Sequence, residues 1–305
     1  MFTLAHVTDW HATDPRGAGL TPLLGKRAFG WLSWKLRRGR THRPEVLAAL
    51  KRDLDEQAPD QIAITGDLTH IALPQEFVES ARQLRDLAEP SRIALVPGNH
   101  DRYVQVSESE SWDRWAPFMV SDGASHSQAP RSGEWPTLRV RGEVALVGTC
   151  SAVPTPWFQA SGRLGDGQLE RLEALLVELG QRDLFRVVLI HHPPLDRDRS
   201  SRRRLLDAPR LREILARAGA ELVLHGHRHR TRIQMLPGPG GPIPVVGARS
   251  STDVGEEEEK SAQYHLYRIQ SRADAASGRR RSVTMAVREW RPAAGHFDAE
   301  GERVL

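Results

Sequence analysis

Five apolar runs in this chain each stop in residues of metal-ligand type, and no other feature restricts the fold so tightly. The clearest is Arg92-Ile93-Ala94-Leu95-Val96-Pro97-Gly98-Asn99-His100-Asp101, where aliphatic side chains give way to an amide, an imidazole and a carboxylate. Phe2-Thr3-Leu4-Ala5-His6-Val7-Thr8 ends in Asp9-Trp10-His11, and Gln61-Ile62-Ala63-Ile64-Thr65 ends in Gly66-Asp67. Arg186-Val187-Val188-Leu189-Ile190 ends in His191-His192, and Glu221-Leu222-Val223-Leu224 in His225-Gly226-His227-Arg228-His229. Short apolar runs closed by turn residues read as buried strands. Open α/β sheets carry their sites at the carboxyl ends of such strands, so five strands deliver polar side chains to one rim.

The intervening segments supply helices. Residues 44–57 begin with proline in the first turn and place Leu47, Leu50 and Leu54 on one face; 74–88 repeat Phe77, Ala81, Leu84 and Ala88 at helical spacing. The order β-α-β-α-β predicts neighbouring parallel strands with right-handed crossovers. The pattern weakens over 102–135, where a short helix is expected at 108–115. Strands at 136–141 and 143–149, separated by Gly142, predict a hairpin that opens a second sheet. A rigid aromatic loop at 154–158 and helices at 167–179 and 208–218 follow. Runs at 231–236, 243–247, 263–269 and 282–290 predict a C-terminal quarter of mostly antiparallel strand, with turns at 237–241 and 276–278 and a solvated turn at 256–260. No linker divides the 305 residues. One domain over 1–305 is expected, with a basic aromatic excursion at 15–43 and a β-rich part at 231–290.

A single cysteine, Cys150, excludes an internal disulfide framework and a cysteine-rich zinc site, and points to a reducing, cytoplasmic setting with the thiol buried at a strand end. Met1-Phe2-Thr3-Leu4 runs into the first strand without a charged leader, so no signal peptide is expected. No apolar run approaches the roughly 20 residues of a membrane span. The net charge of +4 is unevenly placed: eight cations and no carboxylate lie between Pro15 and Pro44, which leaves −4 for the remainder. Within that excursion Leu24, Ala28, Trp31 and Leu32 recur at helical spacing beside Phe29, Trp34 and Leu36. This is the pattern of a helix at a membrane interface or over an amphiphilic substrate. An anionic membrane surface reached through 20–43, at the inner face, is one expected partner; the alternative is a cap packed on the domain. Gly25, Gly30 and Gly39 argue against a long helix. The cation-rich stretch 197–204 reads as a solvated loop with a substrate role open.

Asp-x-His, Gly-Asp, Gly-Asn-His-Asp, His and Gly-His-x-His form an oxygen and nitrogen ligand set without sulfur, which suits two divalent ions such as Mn, Fe or Zn. Asp67 is the natural bridge; Asp9, His11 and His229 complete one site, and Asn99, His191 and His227 the other. Two ions about 3.5–4 Å apart activate water and stabilise the entering and leaving oxygens of an in-line phosphoryl displacement. Gly66, Gly98 and Gly226 each precede a ligand, where a sharp turn or close approach favours a missing side chain. His6 and His70 are left outside the site, and His225 is assigned to the core or to the ring of residues behind the ligands.

With these five motifs in this order, the chain resembles the calcineurin-like metallophosphoesterases over about residues 1–247. The resemblance implies a four-layer α/β/β/α sandwich of two mixed sheets with the dimetal site between the sheet ends. It also implies that His100, paired with Asp101, contacts the phosphate or protonates the leaving oxygen, and that His192 and Arg228 stand behind the ligands. The intact Gly-Asn-His-Asp and His-His-Pro-Pro look like the phosphodiesterase branch, in which a metal-bridging hydroxide attacks a phosphoester substrate. A membrane-associated hydrolase similar to UDP-2,3-diacylglucosamine pyrophosphatase is the alternative, although that group generally has arginine where this chain has His100. A nuclease is a further alternative that is less favoured, because the long DNA-engaging and coiled-coil additions are missing; nucleic acid is a partner left open but not favoured. A non-enzymatic metal-site scaffold that binds partners is disfavoured because such scaffolds tend to lose ligands and no ligand position is lost here. Oligomeric state and metal identity are not set by the sequence.

Overall fold

Two six-stranded mixed sheets pack face to face, each covered on its outer side by helices. The computed structural model describes the chain apart from residues 17, 20–22, 24, 196–200, 256–259 and 271–280 and the side chains of Arg37, Arg38 and Ser201. Leu24, part of 197–204, most of the turn at 256–260 and the turn at 276–278 therefore lie outside the described residues.

In chain order the elements are β1 Phe2–Val7, α1 Lys26–Ser33, α2 Gly39–Thr41, α3 Pro44–Gln57, β2 Gln61–Ile64, α4 Pro74–Leu87, β3 Ile93–Leu95, α5 Ala116–Met119, β4 Thr137–Arg141 and β5 Val144–Gly148. They continue with α6 Asp166–Gln181, β6 Phe185–Ile190, α7 Ala208–Ala218, β7 Leu222–His225, β8 Arg232–Leu236, β9 Ile243–Gly247, β10 Gln263–Ile269, β11 Val283–Arg291 and β12 His296–Val304. A π-helical stretch, Trp34–Arg38, joins α1 to α2. The first sheet runs β12-β11-β10-β1-β2-β3 and the second β4-β5-β6-β7-β9-β8. The predicted short helix at 108–115 is instead two 3₁₀ turns, Glu108–Glu110 and Trp112–Trp115, leading into α5.

Alternation along β5, β6 and β7 assigns the layers. Val144, Leu146, Val187, Leu189, Leu222 and Leu224 face the first sheet, whereas Ala145, Val147, Val188, Ile190 and Val223 join the leucines of α6 and α7 on the outer side. Burying these aliphatic side chains on both faces, at roughly 1.5–3 kcal/mol for each of the larger ones, is what fixes this register against a one-residue slip.

Register then places the site. Parallel pairing sets Val7 against Ile64 and Ile64 against Leu95, so β1, β2 and β3 end level. In the second sheet Ile190 pairs with His225. The two rims meet where the His191 ring reaches across the sandwich to the Thr65 carbonyl, 2.7 Å away. The C-terminal quarter is mostly antiparallel, as expected, with one parallel pairing, that of β9 with β7. The added strand β12 pairs along β11 as the outermost strand of its sheet. Cys150 follows β5 and is half-buried, its thiol pushed up to about 12 by burial.

Candidate metal centre

Each strand end turns sharply before presenting its ligand-type side chain. Asp9, His11, Asp67, His227 and His229 all have positive φ, between 42° and 71°, although none is glycine. Non-glycine residues in this region are strained and persist where the surroundings dictate them. Crowding explains the neighbouring glycines. A Cβ on Gly98 would stand 2.2 Å from Asp67 Oδ1, and one on Gly226 2.0 Å from Thr8 Oγ1 and 2.4 Å from Asp9 Oδ2.

Both carboxylates are held by one oxygen and offer the other. Asp9 Oδ2 accepts from the Thr8 hydroxyl at 2.8 Å and the His227 amide at 2.9 Å, while its buried Oδ1 has no hydrogen-bond donor and lies 3.3 Å from His229 Nε2. Asp67 Oδ1 accepts from the His100 amide at 2.7 Å. Its Oδ2 sits 3.3 Å from His191 Nε2 and 3.8 Å from His11 Nε2. His11 Nδ1 points at the Thr69 carbonyl, 2.8 Å away, and His191 Nδ1 at that of Thr65. A ring that donates from Nδ1 to a carbonyl turns the Nε2 lone pair toward an ion. Asn99 Oδ1 lies 3.1 Å from His191 Nε2 and 2.8 Å from His227 Nδ1. Donor atoms of Asp9, His11 and His229, of Asp9, Asp67 and His191, and of His11, Asp67 and His100 lie within 4.8 Å of one another. An orphaned buried carboxylate oxygen among inward-facing imidazoles fits divalent cations.

Electrostatics agree. Against burial, which favours the neutral acid, His229 holds the Asp9 carboxyl below the usual carboxylate range, and His191 does the same for Asp67. Against burial, which lowers it, Asp67 pushes His191 up to about 9. The pocket demands positive charge, and a bound cation meets that demand without protonated imidazoles.

His192 has Nδ1 2.8 Å from Ser151 Oγ and Nε2 3.2 Å from the Ala160 carbonyl, and a nitrogen within 4.8 Å of those of His191 and His227; burial and then His191 lower it to about 3. Arg228 lines the cleft above. Asp101 is not the partner of the His100 ring. Its two oxygens accept from the amides of Gly98, Asp67, Leu68 and Thr69 and from the Thr69 hydroxyl, so it ties two ligand loops together. His100 Nδ1 lies instead 2.5 Å from the His70 carbonyl.

Several residues at the site are missed on sequence grounds or, like His70, placed outside it. The His70 ring stacks on His11 at 5.3 Å, and His42 approaches His11 at 5.0 Å and His229 at 6.1 Å between centroids. His42 is carried there by its bridge to Asp253, and its Nδ1 lies 3.1 Å from Thr252 Oγ1. Ser250 Oγ donates to the Asp9 carbonyl at 2.7 Å, and the Thr252 hydroxyl to that of Trp10. Buried Glu76 accepts from the amides of His70, Ile71 and Leu73 and from the Thr13 hydroxyl. A buried glutamate in a helix's first turn was the one local signal available.

The basic excursion packs beside this centre with Lys26 and Arg27 turned inward, whereas Arg16, Lys35, Arg40 and Arg43 are exposed. Lys26 Nζ donates to the Thr155 carbonyl and hydroxyl, both at 3.0 Å, and lies 4.3 Å from the Tyr103 ring, which stacks on His100; burial lowers Lys26 to about 8. Arg27 donates to the carbonyls of Ile71 and Ala72. A Cβ on Gly30 would meet Ile71 Cγ2 at 2.3 Å, so the helix needs glycine there to approach. Trp31 and Trp34 are half-buried, whereas Phe29, Leu32 and Leu36 face outward. A cleft of about 1120 Å³ opens over the centre. Asp67, Asn99, His100, His227 and His229 line it together with Lys26, Arg202, Arg203, Arg228, Arg230 and Arg232, and Asp67 is its one carboxylate among the described residues. Among the described residues no helix is long and apolar enough to cross a membrane.

The calcineurin-like phosphoesterase family model matches residues 2–231. A dimetal phosphatase from Danio rerio is similar in structure, with a TM-score of 0.61 at 10% identity over 99% of this chain and 98% of that one. A purple acid phosphatase from yellow lupin (Lupinus luteus) seeds has a TM-score of 0.58 at 11% identity, covering 99% of this chain and 53% of that one. No relative among curated proteins matches.

Proposed function

Because the chain belongs to the calcineurin-like phosphoesterase family and is a metal-dependent phosphoesterase, we propose that it hydrolyses phosphodiesters. Asp9, His11 and His229 would hold one divalent ion, Asn99, His191 and His227 a second, and Asp67 both. Such ions supply Lewis-acid stabilisation of phosphoryl oxygens and a water of lowered pKa.

The chain's own residues do the rest. The cationic lining concentrates an anionic ester over the ligands and orients its phosphate. His100 is the proton donor in this reading. Its Nδ1 is fixed by the His70 carbonyl, so its Nε2 belongs to the cleft, among the donor atoms of His11 and Asp67. As an imidazolium, His100 gives its Nε2 proton to the departing alkoxide while Nδ1 keeps its carbonyl partner. Asp101 acts through the backbone, holding the loops that carry Asp67 and Asn99 in register.

The observation that carries the diester reading is the size of the cleft. About 1120 Å³ extends well beyond the ligand cluster and has room for a group on each side of a phosphate. The test is turnover by protein reconstituted with Mn, Fe or Zn against bis-p-nitrophenyl phosphate, p-nitrophenyl phosphate and cyclic AMP, with metal content measured in parallel. The expected result is a kcat/KM higher for the diesters than for the monoester. Turnover confined to p-nitrophenyl phosphate would overturn it.

A further inference from the structure

The cleft is continuous with an exposed apolar ledge. Among the described residues eleven large hydrophobic side chains are exposed, and five of them, Phe29, Leu32, Leu36, Trp157 and Phe158, belong to two segments that meet beside the metal-ligand cluster. The Phe29 ring lies 5.1 Å from Trp157 and 5.6 Å from Phe158 across more than 120 residues of sequence. Leu32 and Leu36 continue the same exposed strip beyond Phe29, at 48% and 69% exposure. None of the residues of α1 is buried, so the strip is not a displaced piece of core. Contiguous exposed apolar surface of this kind marks a contact site.

Phe29, Trp157 and Phe158 line the same cleft as Asp67 and His100. A molecule with its phosphate over the ligands therefore has these rings within the same cleft for its leaving or retained group to lie on. We infer that the substrate is an amphiphilic phosphodiester drawn from an anionic bilayer, its acyl portion lying on the ledge and its headgroup in the cationic cleft. This rests on the phosphodiesterase reading and names its substrate class.

Three features favour a lipid over other occupants. The ledge combines aromatic rings with two leucines on a helix's outer side, which is the composition of an interfacial element, whereas a nucleobase site needs only facing rings. Lys26 and the five arginines of the cleft attract an anionic headgroup and anionic lipid around it. Exposed Lys35, 5.1 Å over the Trp31 ring, adds a cation beside the ledge, so a second copy of this chain would meet like charge. In the reaction water adds to phosphorus and one P–O bond breaks. The products are a phosphomonoester and an alcohol that takes the proton.

Two measurements test this independently of turnover of the natural substrate. The first is cosedimentation of the metal-loaded protein with vesicles of phosphatidylcholine alone or mixed equally with phosphatidylglycerol. Binding should require the anionic lipid and weaken with salt. Leu32→Ser with Leu36→Ser should lower vesicle affinity about tenfold, yet leave hydrolysis of bis-p-nitrophenyl phosphate unchanged, because neither side chain lines the cleft. The second compares dihexanoyl phosphatidylglycerol with its deacylated headgroup as inhibitors of bis-p-nitrophenyl phosphate hydrolysis. The lipid should compete at about tenfold lower concentration, and Phe29→Ala with Trp157→Ala should erase that difference. Absence of vesicle binding, equal inhibition by lipid and headgroup, or stronger inhibition by adenosine monophosphate that depends on Trp157 would overturn the inference. If bis-p-nitrophenyl phosphate is not hydrolysed at all, the phosphodiesterase reading fails, while the vesicle result still decides whether the ledge meets lipid.

Discussion

Asp101→Asn separates a structural tie from a catalytic partner. The carboxylate is buried, and all of its bonds run to two loops: one oxygen accepts from the Leu68 and Thr69 amides and the Thr69 hydroxyl, the other from the Asp67 and Gly98 amides. Asparagine has nearly the same shape but only one acceptor oxygen. Its better orientation keeps the three donors at one oxygen and turns an NH₂ group against the amides of Asp67 and Gly98. Two buried N–H groups then lose their acceptor and face another donor. At about 1–3 kcal/mol for each stranded donor, the cost is roughly 2–6 kcal/mol. With an unfolding entropy of about 2.1 cal/mol/K per residue over 305 residues, Tm falls by about 3–9 °C. Because the two loops carry Asp67 and Asn99, metal content should fall together with stability, and activity on all substrates should fall in proportion to the metal lost. The assay is calorimetry and metal analysis of the same preparation. A variant that keeps its Tm and its metal but loses turnover selectively on alkyl esters would refute this reasoning and return Asp101 to the role of partner to His100.

Asp67→Ala should abolish activity and release both ions with the fold retained; two tightly bound ions per chain in the purified variant would sink the bridging assignment. His100→Ala should leave metal content intact and lower turnover about 10²–10⁴-fold. The loss should be greater for alkyl than for p-nitrophenyl leaving groups, and an equal loss on both would reduce His100 to a phosphate contact. Acid should destabilise the protein through His265, which burial, followed by Arg249 and Arg303, lowers from 6.5 to about 3. The unfolded chain binds one more proton than the folded one between these values. The stability contributed by His265 is therefore full above pH 6.5 and falls with pH by about 1.4 kcal/mol per unit below it. In urea melts of chelator-treated protein, His265→Gln should make the acid slope shallower by about 1.4 kcal/mol per pH unit; an unchanged slope would show that His265 titrates normally.

The strand ends were legible because the signal is local. An apolar run that stops in Asp-x-His or Gly-Asn-His-Asp states both a buried strand and the side chains at its end, and pairing registers such as Val7 against Ile64 need only the hydrophobic alternation to be satisfied. Helices α3, α4, α6 and α7 followed from apolar residues at helical spacing, with proline in the first turn of α3, α4 and α7. Strand β12 did not, because Asp298-Ala299-Glu300-Gly301-Glu302 has one neighbour and little to bury, so nothing in its pattern alternates. The helical stripe through Leu24, Ala28, Trp31 and Leu32 showed that α1 has two faces but not which one turns inward. That was decided by the close approach of Gly30 to Ile71 and by Lys26 and Arg27 finding carbonyls at 155, 71 and 72, which leaves Phe29, Leu32 and Leu36 outside.

Sequence alone thus determined which residue types reach the rim, since composition at a strand end is a one-dimensional fact. Only the folded chain decided which of them face one another. Asp101 neighbours His100 in sequence but turns to the amides of the adjoining loop, whereas His42 reaches His11 and His229 through a bridge to Asp253, more than 200 residues away. Hydrogen-bond partners and ring contacts depend on distances across the sandwich, and those distances are set by the packing of two sheets, which no local pattern encodes.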